Sequence, residues 1–133
     1  GKIMKDFILS DDLERCQPWI EDALQYSGGT HTFDDIVLGI AEMRMQLWAA
    51  PKGCIVTEIV VYPKKKVLHL FLAGGDLEQL IDMNNDITNW AVGQGCTGGT
   101  ITGRLGWKKA LAPLGWKLKS ANYAFDLNNS ESD

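Results

Sequence analysis

Over residues 13–24, Leu13, Cys16, Ile20, Ala23 and Leu24 recur at helical spacing, with polar residues between them. Asp11-Asp12 can cap a first turn, and Pro18 fits best in a first turn, so the regular helix is predicted to begin near Gln17. Ser27-Gly28-Gly29 ends it. Thr32 followed by Asp35 resembles a capping box with a shortened acid, and Ile36, Val37 and Ile40 carry a second helix to about Glu42. From Arg44 the period changes to two, with Met45 and Leu47 on one side and Arg44 and Gln46 on the other. After the turn signal Ala50-Pro51-Lys52-Gly53, residues 54–62 are β-branched and apolar on both faces, which predicts a central strand. Residues 63–66 turn again and 67–72 form a further apolar strand, completing an antiparallel meander of three strands.

The glycine turn Ala73-Gly74-Gly75-Asp76 precedes the longest predicted helix, whose face carries Leu77, Leu80, Ile81, Asn84, Ile87, Thr88 and Ala91. It ends at Gly93-Gln94-Gly95. A short strand over 100–104, a short helix over 105–114 and a final strand over 116–127 follow, and the polar end 128–133 is expected to be a disordered tail. The order is a three-strand meander followed by α-β-α-β. A helix joining two strands after a meander implies a right-handed parallel crossover, hence a mixed α/β sheet in one domain over 1–133.

Composition narrows the function classes. With 133 residues, 45% hydrophobic and 23% charged, the chain suits one globular domain. Its formal net charge of -4 and the absence of a basic stripe argue against nucleic acid, and Lys64-Lys65-Lys66 reads as a solvated turn. No apolar run approaches the roughly 20 residues of a membrane helix, so no membrane partner is expected. Cys16, Cys54 and Cys96 are odd in number and widely spaced, which fits neither a disulfide framework nor a zinc site. No metal is expected, and a reducing cytoplasm is the expected setting.

The element order, together with Leu70-Phe71-Leu72-Ala73-Gly74-Gly75, Gly103-Arg104-Leu105-Gly106-Trp107 and Leu114-Gly115-Trp116, resembles the GNAT N-acetyltransferase superfamily without its usual first strand. Its texture is similar to small GNAT-like proteins of tailed bacteriophages. The resemblance implies the acyl-CoA N-acyltransferase fold and acetyl-CoA or another acyl-CoA as ligand. The pantetheine arm would lie where the strand before the glycine turn and the strand after the long helix splay apart. The diphosphate would sit on the turn, so Phe71, Leu72, Ala73, Gly74, Gly75, Asp76 and Leu77 are the implied cofactor residues. The acceptor would be a small-molecule or protein amine. A homodimer or a phage protein partner is admitted too.

The chain departs from the family loop, Gln/Arg-x-x-Gly-x-Gly/Ala, with Leu70 first, Ala73 fourth and only Gly75 in register. Asp76 is expected to cap the long helix and to repel a diphosphate at the same amides. Leu111 stands where many family members carry a general-acid Tyr.

Two residues are the catalytic candidates. Glu58 is the only charged residue between Gly53 and Tyr62; burial there would raise its pKa, as a general base requires, or it is a structural acid bonded to Arg44 or backbone. With Lys64-Lys65 at the turn centre, Glu58 faces Phe71 and shares a face diagonally with His69, which either deprotonates an amine or is a satisfied core residue. His31, in a Gly-rich loop, carries little signal. Gly98-Gly99 reads as a bulge or a place where a ligand approaches backbone. Two functions follow: an acyl-CoA-dependent N-acyltransferase, or a non-catalytic phage structural or interaction module of the same fold.

Overall fold

The β-branched run identified as central lies inside a four-stranded sheet, paired antiparallel with a strand on each side. The computed structural model describes residues 3–4, 7–8, 10–25 and 29–101. Strands β3 (Met45–Ala50), β4 (Gly53–Tyr62) and β5 (Lys65–Gly75) make the antiparallel meander, and β6 (Cys96–Ile101) joins β5 in parallel. The parallel pair confirms the crossover inferred from a helix between two strands. The predicted helix over 105–114, the strand over 116–127 and the tail lie outside the described residues.

Two helical layers enclose the sheet. Helices α1 (Asp11–Leu24) and α2 (Phe33–Ala41) cover one face through Cys16, Ile20, Phe33 and Ile36, packed against Met45, Cys54, Val56 and Leu72. Helices α3 (Leu77–Asp82) and α4 (Asn84–Gly93) cover the other through Leu80, Ile87 and Ala91, packed against Ile55, Leu68 and Leu70. β4 feeds both cores, with Val56 on one side and Ile55 on the other, which is why it is apolar on both faces. Thr57, fully buried on the second face, is satisfied in place: it accepts from Trp48 Nε1 at 3.0 Å and donates to Gln46 Oε1 at 2.8 Å.

Local chemistry explains where the elements depart from expectation. α1 begins at Asp11, capped by the Ser10 hydroxyl, which accepts from the Leu13 amide at 3.1 Å. Pro18 therefore lies inside the helix. Buried Leu13 and Cys16 before it and Ile20, Ala23 and Leu24 after it hold the helix to the sheet, outweighing the roughly 3 kcal/mol an interior proline costs. The Thr32/Asp35 capping box is present in both directions. The predicted long helix is two, divided at Met83, whose amide bonds back to Leu80 at 3.3 Å while its carbonyl starts α4 by accepting from Ile87 at 3.0 Å. A two-residue hairpin, β1 (Ile3–Met4) with β2 (Phe7–Ile8), precedes α1 as its own sheet, where the sequence pattern predicted no strand. β6 starts at Cys96, earlier than predicted, and its irregularity falls at Thr97, just before the glycine pair.

Candidate functional site

One row of residues crosses all four strands on the face that α1 and α2 cover. Met45 pairs with Glu58, Glu58 with His69, and His69 with Thr100. Glu58 and His69 therefore share a face as expected, but as directly opposed neighbours. The hairpin turns at Pro63-Lys64, with Tyr62 opposite Lys65, and this slides β5 relative to the predicted turn. Directly opposed side chains in an antiparallel pair stand about 5 Å apart at Cβ, closer than the diagonal arrangement.

Both groups are half-buried, so Glu58 is less enclosed than its isolation in an apolar run implied. Arg44 does not neutralise it: the guanidinium engages Glu42, with Nε to Oε1 at 2.8 Å. Burial pulls the His69 pKa below the ordinary imidazole value, and the negative charge of Glu58 partly restores it. On the opposite side of the ring, His69 Nδ1 lies 2.7 Å from the Thr100 hydroxyl. A neutral imidazole at physiological pH, next to a carboxylate that favours its protonated form, has the properties of a base.

Phe71 is the next feature along β5. Val56 pairs with Leu72 and Thr57 with Leu70, so Phe71 is the extra residue of a β-bulge. The bulge keeps Phe71 on the face of His69, with ring centroids 6.2 Å apart, while Leu72 turns into the core below α1. The His31 ring meets Phe71 edge-on at 4.8 Å. His31 thus reaches this surface from the loop before α2, although nothing in its Gly-rich context signalled it. Thr100 was also passed over: only strand register brings it to His69.

The β5–β6 pairing closes with Leu70 opposite Ile101, the last described residue of β6, so the expected divergence of the strands towards Gly74 falls outside the described residues. The glycine turn itself is tightly built. A side chain at Gly74 would stand 2.9 Å from Trp19 Cβ of α1, and Gly75, with φ +102°, faces the Lys52 carbonyl and Gly53 Cα too closely for any Cβ. The Asp76 amide donates to the Lys52 carbonyl at 2.7 Å, and the Lys52 amide donates to Gln79 Oε1 at 2.7 Å, stapling the turn to the β3–β4 connection. Asp76 occupies the N-cap position of α3, but its side chain makes no capping hydrogen bond. The expectation that its carboxylate satisfies the helix amides is therefore corrected: the close approach of the β3–β4 turn holds Asp76 by its backbone instead.

The third chemical feature is one that wide spacing in sequence hid. Cys16 of α1 and Cys54 of β4 are both buried and share a thiol–thiol hydrogen bond; desolvation raises both pKa values. Buried thiols with raised pKa values are poor nucleophiles. Among the described residues, no group of three or more His, Cys, Asp or Glu side chains could hold a metal ion, and no helix is long and apolar enough to cross a membrane.

No family model matches the chain, and no curated protein matches it by sequence. Solved structures do match. A probable acetyltransferase superposes with a TM-score of 0.66 at 10% identity, covering 94% of this chain and 97% of that one. A Thermus thermophilus protein gives 0.64 at 15% identity over 93% and 96% of the two chains. A Trypanosoma brucei acetyltransferase gives 0.55 at 13% identity over 84% and 94%. At such identities the likeness is one of fold: this mixed α/β domain has the GNAT acetyltransferase fold.

Proposed function

We propose that the protein is an acyl-CoA-dependent N-acyltransferase acting on an amine held over the Glu58–His69–Thr100 row. The observation that carries this reading is the cross-strand pair Glu58–His69, half-buried beside the Phe71 bulge and next to the parallel β5–β6 seam. Bulges recur beside active sites because they re-aim side chains and free backbone groups from the ladder.

The residues present fit an acyl-CoA along β5. The backbone of Phe71, Leu72 and Ala73, which follows the Leu70–Ile101 pair along β5, would hold the pantetheine arm. The first-turn amides of α3, from Leu77 on, have no side-chain cap from Asp76. When bound, the thioester supplies an electrophilic carbonyl and a thiolate leaving group. His69 takes a proton from the attacking amine, so that nitrogen gains its bond to the acyl carbon as the carbon–sulfur bond breaks. Glu58 stabilises the imidazolium so formed, and the proton is then available to the departing thiolate. Phe71, in ring contact with both His69 and His31, flanks the row where the acceptor would sit.

One observation favours a second reading, a non-catalytic module of the same fold. The Asp76 amide, central to the glycine turn, is already bonded to Lys52, and the Asp76 carboxylate is exposed where a diphosphate would come. A thiol-release assay with acetyl-CoA and a panel of primary amines separates the two. Turnover that His69→Gln abolishes in a still-folded protein supports the enzyme. No turnover with any amine, from a protein that folds normally, favours the module.

A further inference from the structure

We propose that Cys16 and Cys54 are a peroxide-responsive thiol pair: a hydroperoxide closes them into a disulfide that ties α1 to β4 beside the glycine turn. The tie bears on the support of that turn and is independent of whether the protein transfers acyl groups. Both side chains lie in the core between α1 and the sheet, with 0% and 1% of their surface exposed, and they share a hydrogen bond. A glycine brings them together. Gly74 is the cross-strand partner of Cys54, and a side chain there would stand 2.9 Å from Trp19 Cβ and 3.0 Å from the Trp19 carbonyl oxygen. α1 therefore lies directly on the backbone beside Cys54, and Cys16 sits one helical turn before Trp19, on the buried side. A disulfide needs its Cα atoms within about 7 Å, an approach that the bare backbone at Gly74 favours.

Burial sets the order and the pace of the chemistry. Desolvation raises both thiols, but Cys54 donates its hydrogen bond to Cys16, and Arg15 favours negative charge there more than Asp12 opposes it, so Cys16 ionises first. The Cys16 thiolate attacks a peroxide oxygen, the oxygen–oxygen bond breaks with release of hydroxide, and a sulfenic acid forms. The Cys54 thiol then makes the sulfur–sulfur bond, and the sulfenic oxygen leaves as water. With hydrogen peroxide, two thiols give one disulfide and two waters. Access comes from α1 itself. Pro18 has no amide to offer the Glu14 carbonyl, so the turn carrying Cys16 has one backbone hydrogen bond fewer and opens more readily than the rest of the helix. Once one sulfur is oxidised its partner is already in contact, which favours the disulfide over further oxidation.

The test treats the natural protein and Cys96→Ser with hydrogen peroxide in the absence of denaturant. Intact mass, non-reducing peptide maps and melting temperature are read. Both proteins should lose the mass of two hydrogens and show a link between the peptides holding Cys16 and Cys54. Their Tm should rise by roughly 10 °C, as a crosslink closing a loop of roughly 40 residues implies. Dithiothreitol should reverse both changes, and Cys16→Ser should show neither. Cys16 and Cys54 that stay reduced, or that pass to sulfinic acid without linking, overturn the proposal. So does a link that forms only in urea, a link to Cys96 instead, or a linked protein that melts below the reduced one. If Cys16→Ser does not fold, the peptide map and melting temperature of the natural protein decide alone.

Discussion

Replacing Gly75 with alanine forces a methyl group against the Lys52 carbonyl oxygen and Gly53 Cα, both backbone atoms that no rotamer change can move aside. The residue also has φ +102°, which side chains rarely adopt. Holding alanine there costs about 1–3 kcal/mol in backbone strain. Pushing the β3–β4 turn away adds about 1–3 kcal/mol of overpacking. The same movement lengthens the 2.7 Å bond from the Asp76 amide to Lys52, a loss of about 1 kcal/mol. The lower bound is about 3 kcal/mol. At about 2.1 cal/mol/K per residue, the 133-residue chain unfolds with roughly 0.28 kcal/mol/K, so Tm should fall by roughly 10 °C. Thermal unfolding by circular dichroism measures it, with urea unfolding as a second route to the free energy. Gly93→Ala is the control: nothing lies within 4 Å of its Cβ, and it should be neutral or slightly stabilising. A Gly75→Ala protein melting within experimental error of the natural one would show that the turn is not packed as described and that its glycines need another explanation.

Three further outcomes follow from the same structure. Met43 is 86% exposed and sits at φ 63° after α2, where its amide and that of Arg44 close the helix end on Ile40 and Gly39; Met43→Gly should relieve the left-handed strain and stabilise by about 1 kcal/mol in urea unfolding. Because the folded-state pKa of His69 lies below its ordinary value of 6.5, the unfolded chain binds more protons as pH falls through that value, so stability should decline below it until the folded pKa is reached. His69→Gln should flatten that part of the pH–stability curve, and an unchanged slope would contradict the burial assigned to the ring. Under native conditions an alkylating reagent should modify Cys96 faster than Cys16 or Cys54, which are buried together; mass mapping showing either of the latter first would disprove that packing.

The meander, the parallel crossover, the Thr32/Asp35 cap and the common face of Glu58 and His69 were legible because each depends on short-range pattern. Alternation fixes which side chains share a face, and a helix between strands fixes the parallel return. What escaped depends on distance in space. Register across the β4–β5 hairpin turned on Pro63-Lys64, a choice between neighbouring turn positions that composition leaves open. The Phe71 bulge has no glycine or proline to mark it. Pro18 reads as a helix start until the buried residues on both sides of it are known. The pairing of Cys16 with Cys54, and of Thr100 with His69, joins residues whose spacing in the chain holds no motif. Asp76 was placed correctly at the N-cap, but its side-chain bond was not, because the Lys52 carbonyl that holds its backbone comes from another turn.

Titration of the 15N-labelled protein with acetyl-CoA tests the central claim most directly, since it reads the seam and the turn residue by residue without needing the acceptor. Binding should shift the amides of Phe71, Leu72, Ala73 and Leu77 together with Thr100 and Ile101. Asp76→Asn should tighten it by removing a like charge from the diphosphate. Saturable shifts at those positions, with the melting temperature rising as ligand is added, are the predicted result. Amides on β5 and α3 that stay unmoved up to millimolar acetyl-CoA, in the natural protein and in Asp76→Asn alike, would contradict the account and leave a GNAT fold that does not hold the acyl donor.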